Sequence, residues 1–133
     1  MDMQIKNLVQ DCTAASDEER IAFPAVVGML MQAGVERYHA DLLRAEKTYY
    51  LPDGESEIVK AARIGTIPAP QFSASEVEAA IRASQSQTVG YNEFCNRIAA
   101  AGCVGYFVSL AGRRAVYYGR SGDCHVEHFP PAI

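Results

Sequence analysis

Apolar residues near the start of the chain recur at helical spacing. Ile5, Leu8, Val9 and Cys12 share one face and predict an amphipathic helix over residues 3–14. Ser16 and Glu19 have capping-box spacing, which predicts a short turn or a further helix start, with Asp17-Glu18-Glu19 as a negative first turn in the helix case. Pro24 suits the first turn of a helix over 24–33, and Val26, Val27, Met29, Leu30 and Met31 make that helix apolar all round, the pattern of a buried one. Gly34 is its natural terminator, because a residue without a Cβ takes a positive φ freely.

At Val35 the period changes from 3.6 to two. Tyr38, Ala40 and Leu42 fall on one face and Arg37, His39 and Asp41 on the other, as in a half-buried strand. A turn at Arg44-Ala45 leads to a strand over 46–51 with Thr48-Tyr49-Tyr50, then the turn Pro52-Asp53-Gly54, then a strand over 55–60. Gly65, Pro68 and Pro70 interrupt regular structure in a linker over 61–73. Ser75-x-x-Glu78 predicts the start of a helix running to Ser84, and Asn92 the N-cap of a helix over 93–101 that Gly102 ends. Strands follow over 103–111, 113–119 and 123–129.

The order helix, helix, three strands therefore occurs twice, and the two runs are copies of one pattern. At a constant offset of 68, Ala33-Gly34, Tyr38, Leu42, Tyr49-Tyr50 and Gly54 match Ala101-Gly102, Tyr106, Leu110, Tyr117-Tyr118 and Gly122. Phe23 with Tyr91, Leu30 with Ile98 and Ile58 with Val126 are similar pairs at the same offset. The expected fold class is α+β: two tandem helix-helix-β-meander repeats, residues 1–60 and 74–130, sharing one core, with antiparallel strands in one sheet or two abutting ones and helices on one face. A half of this size buries too little surface to fold alone, so residues 1–133 are expected to form one domain.

The second half resembles a known family. Ile81-Arg82-x-x-Gln85, Tyr91-x-x-Phe94-Cys95, Ala101-Gly102-Cys103, Tyr117-Tyr118, Gly122 and Val126-Glu127-x-x-Pro130 look like the YbcV-like family, a domain of unknown function whose members are sometimes labelled phage envelope protein. Phe23-Pro24, Ala33-Gly34-Val35, Tyr38 and Tyr49-Tyr50 extend the resemblance over residues 20–130. It implies no known activity, cofactor or catalytic residue.

Charge and composition narrow the function classes. Sixteen acidic and twelve basic residues give a net charge of −4, against a nucleic-acid partner; three arginines at the second hairpin, Arg113, Arg114 and Arg120, read as a solvated rim. No stretch has the length or apolarity of a signal peptide or a membrane span, so a cytoplasmic protein without a membrane partner is expected. Four cysteines, Cys12, Cys95, Cys103 and Cys124, do not make a disulfide scaffold.

The chemistry-bearing residues form no established motif. In Cys124-His125-x-Glu127-His128, strand alternation puts only two ligand types on each face, too few for zinc, and no metal or cofactor is expected. Cys95, near a helix start, is a nucleophile candidate beside His125 or His128, set against a plain core position, since it matches Val27 of the first half. Each tyrosine pair puts one ring on each sheet face; outer rings with Arg37 or His39 make either a ligand surface or ordinary cross-strand packing. Arg82 and Gln85 share a helix face but match Ala14 and Asp17 of the first half, so they are not demanded by the repeat. The expected reading is a non-catalytic ligand-binding or protein-interaction module, self-associating as a homodimer through strand edges or the apolar helix layer. Its site is expected between the repeats, from Arg82, Gln85, Tyr91, Tyr118, His125 and Glu127. The alternatives are a small enzyme using Cys95 or His125 with Glu127, and a phage-derived accessory or structural protein.

Overall fold

Helix α1, Met3–Asp17, is capped by Asp2, whose carboxylate accepts the Ile5 N–H at 2.9 Å. Helix α2 is Phe23–Gln32, and strands β1, Arg37–Asp41, β2, Glu46–Tyr50, and β3, Ser56–Lys60, complete the first half. The second half follows the same order: α3, Ala74–Gln85; α4, Tyr91–Ala100; β4, Cys103–Ser109; β5, Arg114–Gly119; β6, Cys124–His128. These elements come from a computed structural model that describes residues 1–130; residues 131–133 of the expected domain lie outside the described residues.

The six strands form one antiparallel sheet in the order β3-β2-β1-β4-β5-β6, the continuous arrangement of the two left open by the sequence. The halves join through β1 and β4, where His39 faces Phe107. Positions 39 and 107 are themselves 68 apart, so the local two-fold axis relating the halves passes between these two residues. The element bounds obey the same spacing: α2 and α4, and β3 and β6, superpose in sequence end to end. So do the backbone specials. The eight residues with positive φ fall into four pairs 68 apart: Glu19 and Gln87, Gly34 and Gly102, Ala45 and Arg113, Gly54 and Gly122.

The helices cover one face. Two rows of side chains cross the sheet beneath them: Glu57, Tyr49, Tyr38, Val108, Ala115 and Glu127, then Val59, Lys47, Ala40, Tyr106, Tyr117 and His125. Helix α1 packs on β3 and α3 on β6, with α4 reaching β4. At the centre Tyr38 packs on Tyr49 at 5.2 Å between ring centroids, Tyr106 on Tyr117 at 5.3 Å, and Phe94 edge-on to Tyr117 at 6.1 Å. The inner hydroxyls are satisfied locally: Tyr49 bonds Thr13 at 2.8 Å and Tyr91 bonds Tyr106 at 2.6 Å.

Four local expectations are corrected. Of the two readings of Ser16–Glu19 the turn holds and the helix start does not: α1 runs on to Asp17, and the Glu19 N–H closes on the Ser16 carbonyl. The acidic residues of that segment then act at a distance. Asp17 accepts the Ala62 N–H at 2.9 Å, and Glu19 accepts the Asn92 N–H at 2.9 Å, at the N-terminus of α4. Asn92 is therefore inside α4, which Gly90 precedes, and the carboxylate of Glu19 takes the place of the expected N-cap side chain. Helix α3 is capped by Ser73, accepting from the Glu76 N–H at 3.3 Å, so it begins two residues before the Ser75 reading allows. Helix α2 is not enclosed: Val26 and Leu30 are buried, while Phe23, Met29 and Met31 remain exposed, Phe23 standing edge-on to Phe129 at 5.6 Å.

Candidate functional site

The six residues expected to form one site divide into three places. Arg82, Gln85, Glu127 and His125 come together where α3 meets the edge strand β6. Arg82 grips Glu127 with both terminal nitrogens, at 2.8 and 3.4 Å, and donates to Gln85 at 3.0 Å and Glu78 at 3.2 Å. His125 Nε2 lies 3.2 Å from Glu127 Oε1. Burial opposes ionisation of Glu127, but hydrogen bonds and charge from Arg82 and His125 prevail and hold its carboxyl below the ordinary value. This cluster pins a helix to an edge strand that has no neighbour on its far side. It lies at the rim of the sheet, two strands away from the junction of the halves.

Tyr118 is on the opposite, uncovered face. Its hydroxyl lies 2.5 Å from His39 Nε2 and the two rings stack, 5.9 Å apart and 19° from parallel. The tyrosine reaches β1 by crossing Gly105, where a Cβ would fall 2.6 Å from its hydroxyl. Burial raises the Tyr118 pKa, with Asp41 and Cys103 adding to it. The first half makes a different arrangement with its matching tyrosine: Arg37, which stands where the second half has Gly105, lies 4.2 Å over the Tyr50 ring. Both outer tyrosines thus have cross-strand partners within the chain.

Tyr91 and Cys95 are in the helix layer, and with them is a residue the sequence reading passed over. Lys47 projects from β2 toward the helices and is 4% exposed. Ala40 beside it is small, and the space above the two is closed by α4, by the end of α1 and by the linker after β3. The result is a cavity of about 60 Å³, lined by Lys47, Tyr91, Cys95 and Asp17 among others. The linker residues Ala61 to Ile64 form its outer wall. They are held by the bond from Ala62 to Asp17, by Ala61 N–H to the Ala45 carbonyl at 2.8 Å, and by Asn96, which accepts from Gly65 at 3.1 Å and Thr66 at 2.7 Å.

Among the described residues, no hydrogen bond or ion pair reaches Lys47 Nζ. Every fully buried side-chain nitrogen and oxygen has a partner, and Nζ differs by facing the cavity. Its nearest company is aromatic, with Nζ 4.7 Å from the Tyr91 ring centre and 6.0 Å from that of Tyr38. Desolvation lowers the Lys47 pKa, and the neighbouring Cys95, Asp17 and Cys12 offset this only in part. Burial pushes the Cys95 thiol up to about 11, against smaller effects of Tyr91 and Lys47. That removes the activation expected from its place near a helix start: at neutral pH Cys95 is a protonated thiol, and no hydrogen bond joins it to His125 or His128 on β6, the edge strand of the same half. Cys103 is likewise pushed up to about 11 by burial. Among the described residues no group of three or more His, Cys, Asp or Glu is disposed to hold a metal ion, and no helix is long and apolar enough to cross a membrane.

The repeat carries the signal that finds Lys47. It matches Ala115, a buried alanine on the helix-facing side of β5, and it stands two residues before the inward Tyr49. A lysine at a position that alternation turns inward, where the other half has alanine, marks an unusual site. Tyr91 and Cys95, each singled out from the sequence for other reasons, complete it.

No curated protein matches the chain. Residues 18–128 match a family model described as Protein of unknown function (DUF1398), which agrees with the uncharacterised family implied by the motifs and does not test the YbcV-like label. The match runs from the residue after α1 to the end of β6 and takes in every other element, so the chain belongs to the DUF1398 family.

Proposed function

We propose that the protein is a small-molecule binding module whose site is the cavity around Lys47. One observation carries this reading: a nearly inaccessible ammonium without a protein hydrogen-bond partner opens into a walled space. An unpaired buried cation is costly, and the fold does not need it, since Ala115 serves at the matching position. A ligand that accepts from or reacts with Nζ would offset that cost. The test is a thermal-shift screen of small metabolites on wild type, Lys47→Met and Arg82→Ala. Ligands for this site raise Tm in wild type and Arg82→Ala but not in Lys47→Met. Equal shifts in all three variants refute the assignment.

The uncovered sheet face favours a second reading, self-association. Its central row runs Ile58, Thr48, His39, Phe107, Val116 and Val126, with Ile58 61% and Val126 40% exposed. A second copy packed face to face covers this row. Sedimentation equilibrium tests it: a dimer that Ile58→Glu dissociates supports the reading, and a monomeric wild type at high concentration removes it.

A further inference from the structure

We propose that Lys47 captures small aldehydes covalently, as an imine inside the cavity; this rests on the reading of that cavity as a binding site. The geometry supplies what imine formation requires. The amine is not tied up in an ion pair, so its lone pair is available whenever it is neutral. It is held by its packed stem with Nζ toward the open space. Its surroundings favour the neutral form, because desolvation outweighs the attraction of Asp17 and the two thiols.

The walls select the carbonyl. A cavity of about 60 Å³ has room for roughly four to six waters, hence for a ligand of a few heavy atoms. Of the lining carboxylates Asp17 acts on Lys47, whereas Asp41 accepts from the Leu43 and Arg44 N–H groups and Glu46 pairs with Arg44. Cys95 does not compete as nucleophile, because its thiol stays protonated.

The step balances without a further reactant. The Nζ lone pair forms a bond to the carbonyl carbon, and a proton passes from nitrogen to oxygen to give a carbinolamine. The second N–H proton and the hydroxyl then leave as water, and nitrogen and carbon become doubly bonded. Hydrolysis reverses the sequence and releases the aldehyde.

The chain provides its own controls, since it has three lysines, Lys6, Lys47 and Lys60, and Lys60 is exposed. Native protein is incubated with propanal and cyanoborohydride at neutral pH, and each lysine is followed by peptide mass spectrometry. Lys47 is expected to be alkylated faster than Lys6 or Lys60, since its lowered pKa leaves more of it as neutral amine at neutral pH. In denaturant the three rates should converge. Native labelling of Lys47 no faster than that of Lys60 overturns the proposal. In that event 1-propanol, which fits the same space but forms no imine, separates the two failures. A Tm rise with it in wild type and not in Lys47→Met leaves the cavity a non-covalent binding site, and no rise with either compound removes the binding reading too.

Discussion

Lys47→Met should make the protein more stable at neutral pH. Methionine keeps the unbranched stem that lies along Tyr38 and Tyr91 and ends before the position of Nζ, so little packing is lost. What disappears is a buried ammonium without a protein hydrogen bond. Desolvating such a group costs up to about 1–3 kcal/mol, part of which water in the cavity offsets; the substitution should recover the remainder, against a smaller loss of cation–ring attraction. For a chain of this length, 1 kcal/mol corresponds to roughly 3–5 °C in Tm. The pH dependence has a definite sign. The folded pKa of Lys47 lies below that of the unfolded chain, so between the two values the unfolded state binds more protons and wild-type stability rises with pH. Methionine has no such dependence. The advantage of the variant should therefore be largest below the folded pKa of Lys47 and shrink as the pH rises toward the ordinary lysine value. Urea titrations of both proteins at several pH values between 6 and 10 provide the comparison. A variant less stable than wild type by more than about 1 kcal/mol at pH 7, or a gap that does not change with pH, would refute the account of Lys47 as an unsatisfied cation.

Three further predictions use other parts of the fold. Gly34 and Gly102 both have positive φ, but only Gly102 is crowded, with a Cβ falling 2.1 Å from the Gln71 carbonyl oxygen; Gly34→Ala should cost about 1–2 kcal/mol and Gly102→Ala distinctly more, and equal denaturant midpoints would refute the role of that contact. Iodoacetamide at neutral pH should modify native protein at Cys124 alone, the one exposed thiol of four, and all four in denaturant; fast native labelling of Cys95 would contradict its elevated pKa. Glu127→Gln should lower stability at pH 7 by less than about 1 kcal/mol, because its pair with Arg82 is partly solvated. Since the folded carboxyl titrates below the unfolded one, that contribution is present above the ordinary glutamate range and lost as pH falls through the folded pKa, so an acid titration should bring variant and wild type together.

The repeat made most of the architecture legible. Offset identities such as Tyr49-Tyr50 with Tyr117-Tyr118 gave the inward and outward face of every central strand, and Gly34 and Gly102 gave both helix ends. The misread points share a cause: the local signal was answered by a partner distant in sequence. Ser16 and Glu19 satisfy a capping box locally, yet Glu19 bonds to Asn92, 73 residues on, and thereby displaces Asn92 from its own expected capping role. Spacing along one helix face brought Arg82 and Gln85 together correctly, and alternation did the same for His125 and Glu127. Neither rule says that α3 lies over β6, and it is that packing which joins the two pairs into an ion-pair cluster. The cavity was least legible, because its walls come from α1, β1, β2, α4 and the linker, and no local pattern marks an enclosed space.

The two halves act as controls for each other. They share a fold to the residue, so a side chain the fold itself requires should have a counterpart 68 positions away. Tyr38 and Tyr106, Tyr49 and Tyr117, and the paired positive-φ residues meet that condition. Lys47 and Ala115, His39 and Phe107, Arg37 and Gly105, and Arg82 and Ala14 do not. Among these, Arg82 pairs with Glu127, Arg37 covers Tyr50, and His39 and Tyr118 satisfy each other. Lys47 alone is left buried without a hydrogen bond or ion pair among the described residues. Charge repulsion or solubility does not explain a lysine that water barely reaches, and packing does not, since alanine suffices in the other half. Neither fold nor solubility requires this lysine, which is why the proposed function is placed at its cavity and why Lys47→Met is the variant that tests it.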